Sequence, residues 1–160
     1  MNVTLEPAYD EPEEIRALFQ EYTEMLVEND PGVAGYLRIQ NYDAEVADLR
    51  KKYGPPDGRL YLARSDGRTA GCIALHRLAG TDFEAKRLFV RPEFRGAGIG
   101  RTLMERVVAD ARGRGCRRLL LDTLPFLTSA VRMYRALGFR EIPPYNNSPL
   151  PESIFMQMDL

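Results

Sequence analysis

The chain has 160 residues, 44% of them hydrophobic, and a formal net charge of −1. This length and composition predict a single globular domain over residues 1–160 with a substantial core. No apolar run approaches the ~20 residues that cross a bilayer and the N-terminus has no signal-peptide pattern, so we expect a cytoplasmic protein without a membrane partner.

The small net charge hides two oppositely charged halves. Residues 1–48 carry twelve Asp or Glu against two Arg, whereas residues 86–140 carry thirteen Lys or Arg against four acids. A basic half favours a polyanionic ligand, although solvation of helix faces explains many of these arginines equally well. Nucleic acid is not an expected partner, because no basic stripe is interleaved with exposed aromatics. Cys72 and Cys116 lack metal-ligand spacing, so no metal is expected.

The first third of the chain predicts a strand and two helices. Residues 2–6 form a short strand candidate. Asp10 is placed to cap a helix with Pro12 in its first turn. Its apolar stripe at helical spacing consists of Ile15, Leu18, Phe19, Tyr22, Met25 and Leu26. Residues 30–42 predict a long loop, and residues 43–53 a second helix that ends at Gly-Pro-Pro-Asp-Gly.

Beyond residue 58 the pattern shifts to short strands. The predicted elements are strands over 59–64, 70–78 and 83–90, a helix over 99–112, a strand over 119–121, a helix over 127–137 and a strand over 154–160. The first three strands are joined by short turns, as in an antiparallel meander. The order predicts a mixed α+β fold with a mostly antiparallel sheet.

A glycine-rich loop lies between the predicted strand 83–90 and the helix at residue 99. It reads Arg95-Gly-Ala-Gly98-Ile-Gly100. Glycines let successive N–H groups point inward, and the following helix adds unpaired amides and its positive dipole end. The loop therefore predicts an anion site. It fails two of the four fixed positions of a Walker loop, and its glycine spacing differs from that of a dinucleotide fingerprint.

The loop fits the pattern [Gln/Arg]-x-x-Gly-x-[Gly/Ala]. Together with Leu88-Phe-Val-Arg-Pro92 and Ala130-x-x-Met-Tyr134-x-x-x-Gly138-Phe139, it resembles the GNAT family of acetyl-coenzyme-A-dependent N-acetyltransferases over residues 60–142. The resemblance implies a twisted sheet of about six to seven strands flanked by about four helices. It also implies acetyl transfer from acetyl-coenzyme A to a primary amine by direct attack in a ternary complex.

The resemblance leaves several functional alternatives open. A small-molecule amine is the expected acceptor, and a protein or peptide amine is the alternative. Two further alternatives are the transfer of a longer acyl group and a non-catalytic acyl-coenzyme-A sensor. The resemblance to the family also allows a homodimer.

The resemblance also implies which residues hold the cofactor. The backbone of Leu88, Phe89 and Val90 would bind the pantetheine arm, and one N–H there would polarise the thioester carbonyl. The loop residues that would hold the pyrophosphate are Arg95, Gly96, Ala97, Gly98, Ile99, Gly100 and Arg101. Many relatives carry Asn where this chain has Leu127, so Thr128 or Ser129 would have to replace that pantetheine contact.

Two residues are the catalytic candidates. Tyr134 occupies the family position from which a phenol returns a proton to the thiolate, although a core aromatic would show the same helical spacing. Glu84 is the general-base candidate, on the same strand face as Lys86, Leu88 and Val90 by alternation. We expect partial burial to raise its pKa, although it could instead pair with Lys86 or Arg87. His76 is the second choice.

The acceptor pocket would be built from variable segments. In the family these are the loop between the first two helices and the connection before the last strand. The candidates there are Tyr36, Arg38, Tyr145 and Asn146, and Arg38 would suit a carboxylate. All four could equally be surface or turn residues.

Overall fold

A computed structural model describes residues 2–160. The strands are β1 (Val3–Pro7), β2 (Arg59–Ser65), β3 (Arg68–Ala79), β4 (Asp82–Val90), β5 (Arg118–Thr123), β6 (Arg140–Ile142) and β7 (Ile154–Asp159). The helices are α1 (Pro12–Asn29), α2 (Val33–Ile39), α3 (Tyr42–Ala47), α4 (Leu49–Tyr53), α5 (Ile99–Gly113) and α6 (Thr128–Leu137), and a 3-10 turn covers Pro92–Phe94. No helix within residues 2–160 is long and apolar enough to cross a bilayer.

All seven strands form one sheet in the order β1-β2-β3-β4-β5-β7-β6. The β4–β5 pair is parallel, and the other pairs are antiparallel. The mixed α+β prediction with a mostly antiparallel sheet is therefore confirmed. Helices cover both faces, with α5 packing through Leu103 and Val107 on one face and α1 packing through Ile15 and Phe19 on the other.

Helix α1 follows its sequence pattern closely. Pro12 stands in the first turn with two acidic residues, and the residues of the predicted stripe that are buried are Ile15, Leu18, Phe19 and Leu26. Burial of this face against the sheet explains why the helix forms. The predicted cap is wrong, because the residue before the helix is Glu11 and no side chain caps it.

The segment between α1 and β2 is more helical than predicted. The predicted loop over residues 30–42 contains α2, which is held down by buried Val33 in a cluster with Leu26, Leu124 and Leu150. The predicted helix over residues 43–53 is split into α3 and α4 at Asp48, whose φ of −142° and ψ of 85° leave the helical region. The Asp48 carboxylate accepts from the Lys51 N–H at 3.3 Å and caps the second piece. These breaks raise the count to six helices.

Candidate active site

Strands β4 and β5 lie side by side only at their beginnings. The pairing joins Asp82, Phe83 and Glu84 to residues 118–120, and it stops there. From Ala85 to Val90, β4 keeps its partner β3 but has no ladder to β5. The backbone groups of this stretch that face β5 are therefore open to a ligand.

A bulge in β4 decides which side chains face the opening. Cys72 is paired with Phe89 and Ala74 with Lys86, so one residue of β3 opposes both Arg87 and Leu88. Arg87, one of the two opposed residues, has a left-handed φ of 59°. The predicted shared face of Glu84, Lys86, Leu88 and Val90 is wrong for this reason. Leu88 and Val90 pack with the core beneath α5, whereas Phe89 belongs to the opposite cluster.

The glycine loop forms an open cradle at the start of α5. Gly96 and Gly98 have φ values of 86° and 78°, and a β-carbon built on either would meet no heavy atom within 4 Å. The first intrahelical bond runs from the Thr102 N–H to the Gly98 carbonyl. The N–H groups of residues 99–101 therefore have no acceptor within the helix. Free space and unpaired donors suit an anionic group.

A large cleft of about 690 Å³ joins this cradle to the opened part of β4. Of the ten predicted cofactor residues, all except Ala97 line it. Leu127, Thr128 and Ser129 line the same cleft, so both hydroxyl-bearing residues adjoin the position of the missing Asn. Arg95 donates from Nε to the Val90 carbonyl at 2.8 Å, which ties the loop to the end of β4. Arg101 is an exposed partner of Glu105.

Tyr134 stands at the inner end of the cleft. It is 7% exposed, and its ring packs edge-on against Phe139 with centroids 5.8 Å apart. Burial raises the pKa of its phenol, so the hydroxyl stays protonated at neutral pH. Tyr134 lines both the large cleft and a smaller space behind it.

Two small chambers lie beside the cleft. The junction chamber, of about 40 Å³, is lined by Tyr22, Ala85, Lys86, Arg87, Leu88, Met104, Leu121, Asp122 and Tyr134. The apolar chamber, of about 50 Å³, is lined by Tyr22, Leu26, Val33, Tyr36, Leu37, Gln40, Arg87, Asp122, Thr123, Leu124, Leu127, Leu150 and Ser153. Tyr22 borders all three spaces, so they lie next to one another around this residue.

Glu84 is the hub of a buried hydrogen-bond network. Its Oε1 lies 2.7 Å from His76 Nε2 and 3.9 Å from Lys86 Nζ, and its Oε2 accepts from the Tyr145 hydroxyl at 2.6 Å. Desolvation by burial works to raise its pKa, but His76, Lys86 and Tyr145 outweigh it and lower the pKa to about 2. The expected upward shift is therefore wrong, because the partners stabilise the carboxylate more than burial penalises it.

The next two residues of β4 carry buried cations of different character. Burial and the neighbouring Arg87 charge lower the pKa of Lys86 to about 8, despite the nearby Glu84. Arg87 instead donates to both carboxylate oxygens of Glu45 at 2.8 and 3.0 Å, and to the Gln40 side-chain oxygen at 3.0 Å. Arg87 is thus neutralised, while Lys86 can lose its proton near neutral pH.

Comparison with known proteins decides the family. The sequence model of the acetyltransferase (GNAT) family matches residues 15–139. The chain belongs to the GNAT acetyltransferase family. It is 40% identical over 126 residues to an uncharacterized N-acetyltransferase of Schizosaccharomyces pombe, covering 78% of this chain and 77% of the relative. It is also 40% identical over 108 residues to an IAA acetyltransferase of Azospirillum brasilense, covering 66% and 70%.

A solved structure shows the same fold over the full length of the acetyltransferase. The crystal structure of the PaiA N-acetyltransferase of Thermoplasma acidophilum, in complex with coenzyme A, has a TM-score of 0.74 and covers 100% of both chains. The identity is 16%. The family membership makes this chain an acyltransferase enzyme.

The structure brings together three of the four predicted acceptor residues of the acetyltransferase. The Tyr36 hydroxyl donates to Asp122, and the Asn146 amide donates to the Tyr36 oxygen at 2.9 Å. Tyr145 binds Glu84 in the adjoining network. Arg38 is exposed and borders none of the three spaces. The structure therefore offers no support for a carboxylate contact at Arg38.

Sequence reasoning missed Asp122, which lines both chambers. It follows the apolar run Leu119-Leu-Leu121 on β5. An acid directly after a buried apolar run was a usable signal, because that end of β5 faces the point where β4 separates. Sequence alternation indicates Lys86 only as a neighbour of Glu84. Its burial comes from tertiary packing, which a local pattern does not contain.

Proposed function

We propose that the chain transfers the acetyl group of acetyl-coenzyme A to the primary amine of a small molecule by direct attack in a ternary complex. The observation that carries this proposal is the cleft that runs along the glycine cradle and the unpaired part of β4 to Tyr134, with the two chambers beside it. The bound coenzyme A of a structural neighbour with the same fold supports the choice of cofactor.

The cleft provides contacts for each part of the cofactor. The unpaired N–H groups of residues 99–101 would hold the pyrophosphate, with Arg95 and Arg101 adding positive charge. The backbone of residues 88–90 would bind the pantetheine arm along its open edge. One of its N–H groups would face the thioester oxygen, a type of contact that contributes about 3 kcal/mol to transition-state stabilisation. When bound, acetyl-coenzyme A supplies the activated acetyl group.

Tyr134 is proposed as the general acid. Its phenol remains protonated because burial raises its pKa, and it borders both the cofactor cleft and the junction chamber. A proton donor at this border can return a proton to the departing thiolate.

Lys86 and Glu84 are proposed as the proton-accepting pair. Glu84 with a pKa of about 2 is a weak base on its own. Lys86 with a pKa of about 8 is partly neutral at physiological pH, and it lines the junction chamber. Neutral Lys86 would take the proton of the acceptor, and Glu84 at 3.9 Å would stabilise the resulting ammonium.

The size of the chambers supports a small acceptor. Spaces of about 40 and 50 Å³ are far smaller than the cofactor cleft of about 690 Å³. Together these two spaces fit a short side group rather than several residues of a peptide.

The direct test is thiol release from acetyl-coenzyme A with a panel of small amines, amino acids and peptides, run beside a coenzyme A binding titration. Release with a small amine and formation of its acetamide is the expected result. Tight coenzyme A binding without release for any acceptor would indicate a sensor module, and release with peptides alone would contradict the small-molecule acceptor.

A further inference from the structure

Asp122 is half-buried and differs from the buried acids Glu45 and Glu84. Its Oδ2 accepts from the Tyr36 hydroxyl and, at 3.4 Å, from the Asn146 amide. Within residues 2–160, no Lys, Arg or His nitrogen lies within 4.0 Å of its carboxylate. Its partners are therefore neutral donors.

The neighbouring cations Arg87 and Lys86 have other acids as their nearest carboxylates. Arg87 is bound by both oxygens of Glu45, and Lys86 has Glu84 as its carboxylate within 4 Å. A half-buried carboxylate without a cation retains a strong attraction for a positive ligand, because water screens it only in part. Asp122 is thus a ready partner for an ammonium group.

The apolar chamber extends from Asp122 between α1, α2 and the segment before β7. Its hydrocarbon walls are Leu26, Val33, Leu37, Leu124, Leu127 and Leu150. Arg87 is the one cationic residue among those that line it, and its guanidinium is occupied by Glu45 and Gln40. An acceptor carboxylate would find no free cation there and would lose its hydration.

The volume of this chamber indicates the size of the group that fills it. A single water needs roughly 10–15 Å³ of such space, and the chamber provides about 50 Å³. This volume suits about three or four carbon atoms of an alkyl group. A longer chain would extend beyond the leucine walls.

We propose that the acceptor is a short-chain alkylammonium without a carboxylate, with its nitrogen held by Asp122 beside Tyr134 and its alkyl group in the apolar chamber. This inference rests on the proposed acetyl transfer and names its substrate class. The ammonium first gives one proton to neutral Lys86, which lines the junction chamber with Asp122. A C–N bond then forms while the C–S bond breaks, Tyr134 gives its proton to the departing thiolate, and the second nitrogen proton restores the phenol. The products are one acetamide, one thiol and one proton held by Lys86.

The test compares matched amines that differ only by a carboxylate. Isobutylamine is valine without its carboxylate, and n-butylamine is related to norvaline in the same way. We expect kcat/KM for each amine to exceed that for its amino acid by at least about tenfold, since an unpaired buried carboxylate is costly. Higher kcat/KM for the amino acids, or for long-chain amines only, would overturn the inference while leaving acetyl transfer intact. No release with any acceptor, without coenzyme A binding, would instead contradict the proposed function itself.

A variant pair tests the role of Asp122 separately. Asp122→Asn should raise KM for isobutylamine by about ten- to a hundredfold and leave coenzyme A affinity unchanged. The matched control is Asp159→Asn, at an exposed end of β7, where it pairs with Arg140. Isobutylamine should also raise the Tm of the coenzyme A complex of the native chain and of the control, but not of Asp122→Asn. An equal shift in Asp122→Asn would overturn the assignment.

Discussion

Tyr134 on α6 and Asp122 on β5 line the same chamber, at the point where β4 has separated from β5. One is a neutral phenol and the other a carboxylate without a cationic partner. The proposed proton donor for the thiolate and the proposed anchor for the amine are thereby brought to a single junction. Because one residue lies on a helix and the other on a strand, their proximity depends on how α6 packs against the sheet.

Replacing Tyr134 with Phe should affect turnover rather than cofactor binding. Loss of the general acid is expected to lower kcat by about a hundredfold, while the Kd for coenzyme A stays within a factor of two or so, because the ring and its contact with Phe139 remain. Steady-state kinetics and calorimetric titration measure the two quantities. Tyr61→Phe is the control, since that hydroxyl binds Asp110 and borders none of the three spaces. An unchanged kcat in Tyr134→Phe would assign Tyr134 to packing alone.

Lys86 should determine the pH dependence of turnover. Its pKa of about 8 lies below the ordinary lysine value, and its neutral form is the active one in our account. We therefore expect kcat at saturating substrate to rise as pH increases through about 8 and to level off above it. Lys86→Met should be slower and should lose this rise. A profile of the same shape in native chain and variant would exclude Lys86 as the proton acceptor.

The buried pair of Glu45 and Arg87 should make a large contribution to stability. Glu45→Gln leaves Arg87 in a buried position without its counter-charge, which we expect to cost about 3–5 kcal/mol in the free energy of unfolding. Denaturant titration measures this value. The control is Glu141→Gln, whose exposed contact with Arg135 at 3.8 Å should contribute less than about 1 kcal/mol. Equal effects in the two variants would contradict a structural role for the buried pair.

Acid should unfold the protein partly through the same carboxylates. Desolvation opposes the shift, but Arg87 and Lys52 lower the pKa of Glu45 to about 2, and Glu84 has a similar value. Their stabilisation is present above the unfolded pKa near 4.5 and is lost as pH falls toward 2. The free energy of unfolding should therefore decline over this window. This decline should be shallower in Glu45→Gln than in Glu141→Gln. Parallel curves of unfolding free energy against pH in the two variants would show that Glu45 does not cause the decline.

The glycine at position 98 should matter for cofactor affinity. Gly98→Ala places a β-carbon on a residue with a φ of 78°, which L-residues adopt at a cost of about 1–2 kcal/mol. Relief of this strain would shift the loop, so we expect the Kd for coenzyme A to rise by about five- to thirtyfold. Gly113→Ala is the matched control, because that β-carbon also meets nothing within 4 Å and its φ is not positive. Equal Kd values would contradict the cradle.

Sequence patterns predicted most of the fold because they report local periodicity and turn chemistry. The stripe of α1, the glycine loop and the position of Tyr134 in α6 were all readable in this way. Helix α2 was not, because Gly32 before it and Gly35 within it obscure the pattern, and its stability comes from contacts of Val33 with distant Leu124 and Leu150.

The charged interior of the site was harder to predict than the cofactor loop. The bulge at Arg87 shifts the alternation of β4 by one residue, and no residue type in the segment requires it. The low pKa of Glu84 depends on His76 from β3 and Tyr145 from the segment before β7. Such pairings join residues far apart in the chain, so local patterns cannot contain them.

The central claim is acetyl transfer by direct attack of an amine on acetyl-coenzyme A. The most direct measurement mixes enzyme in excess with acetyl-coenzyme A, first without acceptor and then with an amine from the panel, and follows free thiol and the intact mass of the protein. Our account predicts no rapid thiol release and no acetylated protein before the amine is added, and one thiol with one acetamide per acetyl-coenzyme A afterwards. A burst of thiol with an acetylated protein in the absence of amine would contradict it.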